Sequence, residues 1–138
     1  MGGRIIPTMT YEDAPAMIRW LGEAFGFEPH LVVDDGDGGV RHAQLTLGPV
    51  MIMLGSARDD GFGVLQRTPM ALGGTTQSAY IIVDDVDGLA DRATAADAKI
   101  AYGPESPPHG GRSFGCIDPE GHLWNFGSYD PWAEVKGE

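Results

Sequence analysis

One order of secondary-structure elements is predicted twice along this chain: a strand, a helix and then three strands. The first copy covers residues 4–55 and the second covers residues 77–127, with a connector at 56–76 and a C-terminal tail at 128–138. A single copy cannot cover its own sheet, so the two copies must bury their helix sides together. We therefore expect an α+β fold in which two βαβββ modules pair and leave their other faces curled around a cavity.

Capping residues mark the start of both predicted helices. Asp13 stands before Ala14 and Pro15, and a carboxylate followed by a first-turn proline is typical of a helix start. Gly26 predicts the end of this helix, because glycine readily adopts the left-handed conformation that stops one. In the second module, Asp85 precedes an alanine-rich stretch with helical spacing, and we expect it to cap that helix in the same way.

Short apolar or alternating segments predict the strands, and turn residues separate them. The predicted strands are residues 5–9, 31–33, 40–47, 50–54, 78–83, 100–102, 112–117 and 122–126. A proline- and glycine-rich loop is predicted at 103–111 and a tight turn at 118–121. In the third of these strands, the apolar side chains are expected to face the helix, while His42 and Gln44 on the other side face the cavity.

The charge balance restricts the partners of the chain. Nine Lys and Arg residues against 20 Asp and Glu residues give a formal net charge of −11, which argues against nucleic acid and anionic membranes as partners. Cys116 is the only cysteine, so an intramolecular disulfide and a cysteine-rich zinc site are both excluded. A lone thiol fits a reducing compartment, and no secretory or membrane-spanning segment is visible, so we expect a soluble cytoplasmic protein.

Several stretches in both modules carry a resemblance to one protein family. They are Tyr-Glu-Asp-Ala at 11–14, Trp-Leu at 20–21, Phe-Gly-Phe at 25–27, Arg-His-Ala-Gln-Leu at 41–45, Val-Asp-Asp-Val-Asp at 83–87 and Asp-Pro-Glu-Gly-His-Leu-Trp at 118–124. Over roughly residues 4–128 the chain resembles the vicinal oxygen chelate superfamily, which includes glyoxalase I, bleomycin resistance proteins, extradiol dioxygenases and fosfomycin resistance proteins. The Asp-Pro-Glu-Gly turn is the most specific of these stretches. Among the members of the family, the chain is most similar to bleomycin-resistance-like and glyoxalase-like proteins.

This resemblance implies a single domain over residues 1–138, a cavity for a small molecule and, commonly, a homodimer. It leaves open whether the two modules pair within one chain or are exchanged between two chains. Trp20 and Trp124 are expected to be anchors of the core or of an interface, whereas Phe62 and Phe114 are expected near the cavity entrance.

Enzymes of this family usually hold a divalent metal ion with four side chains, and the resemblance assigns those positions to Pro7, Met53, Ser78 and Asn125. Proline has no donor atom in its side chain, methionine offers a soft thioether, and serine and asparagine are weak neutral ligands. A shift of one residue in the alignment supplies no better set. We therefore expect neither a metal ion nor another cofactor, which removes the main reason to expect dioxygenase, glyoxalase or thiol-transferase chemistry.

The candidate ligand-binding residues are predicted to lie on the cavity side of the strands, apart from Arg112, which flanks the loop at 103–111. They are His42, Gln44, Met51, Met53, Ser78, Tyr80, Arg112 and Asn125. His42 is the one candidate catalytic residue, as a general base, although an imidazole that only forms part of the cavity wall fits the pattern as well. The methionines suit an adaptable apolar site or a core without a ligand, and Arg112 suits an anionic group or a solvated turn.

Three functions are compatible with these observations. The first is a metal-independent protein that sequesters a small drug or metabolite, as an antibiotic resistance protein does. The second is a glyoxalase-like lyase or isomerase, or a dioxygenase-like enzyme, with an unusual metal site or none. The third is an interaction protein that uses its acidic surface and Trp132.

Overall fold

The computed structural model describes residues 2–135, which form two βαβββ modules, a connector and a short C-terminal helix. The first module comprises β1 (Thr8–Tyr11), α1 (Ala14–Phe25), β2 (Glu28–Asp34), β3 (Val40–Leu47) and β4 (Val50–Ser56). The connector contains α2 (Phe62–Leu65) and α3 (Pro69–Leu72). The second module comprises β5 (Ala79–Ile82), α4 (Val86–Ala95), β6 (Lys99–Glu105), β7 (Ser113–Ile117) and β8 (Leu123–Gly127), and α5 (Pro131–Val135) follows it. Residues 136–138 of the predicted tail lie outside the described part of the chain.

Each module contributes one four-stranded mixed sheet. Sheet 1 has the strand order β1-β4-β3-β2, and sheet 2 has the equivalent order β5-β8-β7-β6. In both sheets the first strand of the module pairs in parallel with the last, and the remaining pairs are antiparallel. The predicted α+β architecture of two βαβββ modules is therefore confirmed.

The predicted helix caps are also confirmed. The Asp13 carboxylate accepts a hydrogen bond from the backbone N–H of Ala16 at 3.1 Å, and Asp85 accepts one from Gly88 at 3.0 Å. Gly26 ends α1 with a φ of 91°, a left-handed conformation that a side chain at this position would make costly.

Some element boundaries differ from the sequence prediction. The first strand begins at Thr8 rather than at residue 5, and β6 extends into the first three residues of the predicted loop, ending at Glu105, which pairs with Ser113. The two connector helices have four residues each, too few for helical spacing to be read from the sequence. None of the helices in residues 2–135 is long and apolar enough to cross a membrane.

The helix sides of the two sheets share one core. The Phe25 ring at the end of α1 lies 5.3 Å from the ring of Trp124 and 4.7 Å from that of Phe126 on sheet 2. The Trp20 indole N–H donates to the backbone carbonyl of Ala96 at 2.7 Å, which joins α1 to the end of α4. Both tryptophans are therefore core anchors, as predicted.

The prediction for Phe114 was wrong, because this side chain is fully buried against Phe126 rather than near a cavity entrance.

The opposite faces of the two sheets, which we call the open faces, do not curl around one cavity within the chain. The reason is that the shared core holds the sheets by their helix sides, so the open faces remain on the outside. They carry Tyr80 and Ile82, which are 42% and 45% exposed.

The Asp-Pro-Glu-Gly turn joins the two modules. Asp118 is 3% exposed, and one of its carboxylate oxygens accepts from the Tyr11 hydroxyl at 2.7 Å and from the Trp124 indole N–H at 3.0 Å. The other oxygen accepts from the backbone N–H groups of Glu120 and His122, at 2.9 and 3.0 Å. Burial, followed by the negative charge of Asp118, raises the pKa of Tyr11 well above its usual value, so the hydroxyl stays a donor.

We expect Asp118→Asn to lower the free energy of unfolding by about 3 kcal/mol, because its amide N–H₂ would face the donating indole of Trp124. Urea denaturation followed by circular dichroism measures the change. Asp91→Asn, an exposed carboxylate on α4, is the matched control and should change stability by less than about 0.5 kcal/mol. Equal stability of the two variants would show that the turn does not hold the modules together.

Cys116 is fully buried in β7, and burial raises the pKa of its thiol to about 12. Because the thiolate is the reactive form, we expect no reaction of the native protein with Ellman's reagent at about pH 8. In denaturant, the single thiol of each chain should react fully. A rapid reaction of the native protein would contradict this placement.

Candidate functional site

The open face of sheet 1 carries one group of the predicted site residues. Strand pairing sets Met53 beside Gln44 on one side and beside Thr8 on the other, so these three side chains share the face. Met51 pairs with Thr46 and follows the same alternation. Pro7, the residue assigned from the resemblance to the first metal position, is one residue out of step with this row, and Thr8 takes its place on the open face.

A chain of hydrogen bonds links two imidazoles on this face. Nε2 of His42 contacts Oε1 of Gln44 at 3.0 Å, and Nε2 of Gln44 contacts Nδ1 of His30 at 3.1 Å. The amide oxygen only accepts and the amide nitrogen only donates, so neutral His42 carries its proton on Nε2 and has its lone pair on Nδ1. The sequence prediction missed His30, because a β-bulge between Pro29 and Leu31 interrupts the alternation there.

A cavity of about 220 Å³ lies on this part of sheet 1. Its wall includes Thr8, His42, Met53, Phe62 and Gln66. The exposed ring of Phe62 therefore does line a cavity, as predicted, whereas the other predicted entrance residue does not. The half-buried His42 and Met53 give this cavity one polar and one polarisable apolar side chain.

A larger cavity of about 650 Å³ lies where the two modules meet the connector. Residues from both modules line it, including Thr8 on β1, Ser78 beside β5, and His122 at the start of β8. Gln66 lines both cavities, and its amide N–H donates to the backbone carbonyl of Thr8 at 2.9 Å. The connector therefore forms a wall common to the two cavities.

The open face of sheet 2 carries the second group of predicted residues. Tyr80 pairs with Asn125, Asn125 with Gly115, and Gly115 with Tyr102, in one row across the four strands. The Tyr102 hydroxyl donates to Oδ1 of Asn125 at 2.8 Å, and the Asn125 amide donates to Ser78 and to the backbone carbonyl of Ala79. Both amide hydrogens of Asn125 are thus used inside the protein.

Tyr102 was missed because it lies in a segment predicted from only three residues, and its cross-strand partner is a glycine that gives no signal. Partial burial raises the pKa of the Tyr80 and Tyr102 phenols above the usual value. Both phenols are therefore neutral at physiological pH, and this row of the face carries no charge.

The structure does not bring Arg112 to either open face. Its guanidinium forms a two-pronged ion pair with Asp87 at the start of α4, with both N–O distances 3.0 Å, and also contacts Ser106. The hydrogen bond from Arg112 lowers the pKa of the Asp87 carboxyl. The predicted ligand-binding residues therefore form one group on each open face, with Arg112 apart from both.

The side chains on the open faces at and beside the positions that the resemblance assigns to a metal ion are poor donors for a divalent ion. The open faces offer the Thr8 hydroxyl, the Met53 thioether, the Ser78 hydroxyl and the Asn125 amide, which are weak or soft donors. The last two already bond to each other at 2.8 Å. Within residues 2–135, no group of three His, Cys, Asp or Glu side chains is placed to hold a metal ion.

Comparisons with known proteins agree with this architecture. The family model described as Glyoxalase/Bleomycin resistance protein/Dioxygenase superfamily matches residues 6–126. An uncharacterized protein of Mycobacterium tuberculosis is 32% identical over 130 residues, which cover 94% of this chain and 75% of that protein. Among solved structures, TioX from Micromonospora sp. ML1 has 29% identity and a TM-score of 0.70, covering 91% of this chain and 98% of its own.

Two further solved structures are similar in fold alone. The fosfomycin resistance protein FosX from Listeria monocytogenes, in complex with Mn(II) and 1S,2S-dihydroxypropylphosphonic acid, has 16% identity and a TM-score of 0.70, covering 99% of this chain and 97% of its own. An integron cassette protein from the mobile metagenome of V. Cholerae has 20% identity and a TM-score of 0.65, covering 94% of this chain and 98% of its own.

The hydrogen bond between His42 and Gln44 makes a spectroscopic prediction. At about pH 8.5, ¹⁵N chemical shifts should show the neutral His42 ring protonated on Nε2. Gln44→Leu removes the accepting oxygen and should produce a mixture of the two tautomers, whereas Gln66→Leu should leave the His42 shifts unchanged. An Nδ1-protonated ring in the unaltered protein would contradict the hydrogen-bond chain.

Proposed function

Because the chain belongs to the Glyoxalase/Bleomycin resistance protein/Dioxygenase superfamily, we propose that it binds and sequesters a small drug or metabolite without a metal ion. The donor chemistry of the open faces supports this proposal, because the Thr8 and Ser78 hydroxyls, the Met53 thioether and the Asn125 amide are weak or soft metal ligands. On sheet 2, Asn125 is hydrogen-bonded to both Ser78 and Tyr102. Apolar or polarisable faces with a few fixed polar groups are typical of small-molecule sites.

The proposal includes a homodimer whose ligand site is completed by the second copy. Each chain leaves one face of each sheet uncovered, and large apolar residues stand on these faces and on the connector. The exposed apolar residues of the connector are Phe62, Val64, Leu65, Met70 and Leu72. Sheet 1 of one copy placed over sheet 2 of the other would bury this surface and join the two groups of site residues. Each ligand site would then be formed by sheet 1 of one chain and sheet 2 of the other.

Reducing surroundings suit this protein, because its single thiol forms no internal disulfide, and we propose that it works in the cytoplasm. The net charge of −11 favours neutral or cationic ligands over anionic ones and gives no surface for nucleic acid or anionic lipid.

The proposal predicts a thermal shift with a ligand and no dependence on metal. A panel of antibiotics and metabolites, each at about 100 times its Kd, should contain compounds that raise the Tm by about 5 °C or more. EDTA should leave that shift unchanged, and Met53→Ala should reduce it, whereas the exposed-surface control Asp91→Asn should not. Elemental analysis that finds near-stoichiometric zinc, nickel, manganese or iron, or a panel without any shift, would contradict the proposal.

A glyoxalase-like lyase or isomerase is the second candidate, and the fixed His42 ring favours it. Gln44 leaves the His42 Nδ1 lone pair free beside a cavity, where it is positioned to remove a proton from a substrate. Turnover of a substrate should then be abolished by His42→Ala and only reduced by Gln44→Ala, because Gln44 orients the base without touching the proton. Full turnover in His42→Ala would exclude this candidate.

A further inference from the structure

Two tyrosine rings lie across glycines on the open face of sheet 2. A Cβ atom added to Gly115 would overlap the Tyr102 ring at Cε1. A Cβ atom on Gly127 would lie 2.5 Å from the Tyr80 hydroxyl oxygen and 2.9 Å from its Cε1. Both glycines are buried, although they are on the outer face of the sheet. The rings therefore rest on the backbone, in space that any larger residue would fill.

Hydrogen bonds hold both rings in place. The Tyr102 hydroxyl donates to Asn125 at 2.8 Å, and the Tyr80 hydroxyl donates to the backbone carbonyl of Tyr129 at 2.7 Å. Gly115 lies on β7 and Gly127 on β8, which are neighbouring strands about 4.8 Å apart. Tyr80, Asn125, Gly115 and Tyr102 stand in one row across the sheet, so the two rings lie on either side of Asn125. Their hydroxyls are committed to the protein.

We infer that Tyr80 and Tyr102, which we call the tyrosine floor, bind a planar aromatic group of the ligand by stacking. This inference rests on the proposed function and names the chemical class of the ligand. Aromatic faces are electron-rich, and rings that are already fixed lose little conformational freedom on binding. With the uncharged Asn125 between them and a strongly acidic chain around them, they suit a neutral or cationic ring system.

A matched pair of neutral probes tests the tyrosine floor in the full-length protein. Naphthalene-2-carboxamide is planar and aromatic, and decahydronaphthalene-2-carboxamide has the same skeleton without the aromatic rings. We expect the aromatic probe to bind about tenfold more tightly in calorimetric titration, and its ring protons to shift upfield in NMR spectra, as stacking requires. Equal affinity, the reverse order, no binding of the aromatic probe, or binding without an upfield shift would each overturn the inference.

Substitutions then assign the selectivity to the two rings. Tyr80→Leu and Tyr102→Leu should each remove most of the preference for the aromatic probe, whereas the matched controls Tyr80→Phe and Tyr102→Phe keep the ring and should retain most of it. Gly115→Ala leaves both tyrosines in the chain but displaces the Tyr102 ring, and it should also lower the preference. Circular dichroism confirms the fold of each variant. Full selectivity in both leucine variants would overturn the assignment.

Failure of the tyrosine floor and failure of the proposed function give different experimental results. If the ligand panel gives thermal shifts but the two probes bind equally, the binding function stands and the tyrosine floor does not. If the panel gives no shift while the aromatic probe stacks on the floor, the proposed function fails and the floor remains as a surface property of sheet 2. Because the two probes are compared in the unaltered protein, this test does not depend on the folding of any variant.

Discussion

The buried carboxylate of Asp118 is the interaction on which the arrangement of the two modules depends. It accepts four hydrogen bonds, two from side chains and two from backbone groups of its own turn. Its neighbour Glu120 accepts from the backbone N–H groups of Glu12 and Asp13, at 2.6 and 2.8 Å, where β1 leads into α1. A buried charge is costly unless such donors surround it, so the turn fixes how β1 of the first module meets β8 of the second. The shared core, and with it the exposure of both open faces, follows from that geometry.

The two open faces differ in chemistry, although the modules have the same topology. Sheet 1 offers two imidazoles, an amide and thioethers. Nδ1 of the neutral His42 ring keeps its lone pair, because the bond to Gln44 uses Nε2. Sheet 2 offers neutral phenol rings over glycines, with the polar atoms of Asn125 turned toward neighbours within the sheet. Duplication of one fold has therefore produced a face suited to polar and polarisable groups and another suited to stacking. A ligand between two copies of the chain would contact both.

The sequence predicted the fold and most of the residues on the open faces, because the alternation of side chains along β3 and β5 indicates which of them share a face. It also placed both helix starts, since the aspartate caps act within a few residues. It did not reveal His30, which lies at a bulge, or the role of Tyr102, whose ring depends on Gly115 of another strand. The resemblance assigned the first metal position to Pro7, whereas the parallel pairing of β1 with β4 sets Thr8 beside Met53 on the open face. Such features depend on contacts between residues far apart in the sequence, whereas periodicity gives information only about residues that are close together in it.

The connector is bonded to the first module through Gln66 and Thr68 and contributes few side chains to the core. The buried Thr68 donates to the Glu12 carboxylate at 2.5 Å and accepts from the Ala71 N–H, while most apolar side chains around it are exposed. Mutations at Phe62 or Leu72 therefore cost little folding free energy, yet Phe62 lines the smaller cavity and Leu72 lines the larger one. If the chain binds a small compound as proposed, substitutions in this short segment can change which compound is bound while the two-module scaffold is kept.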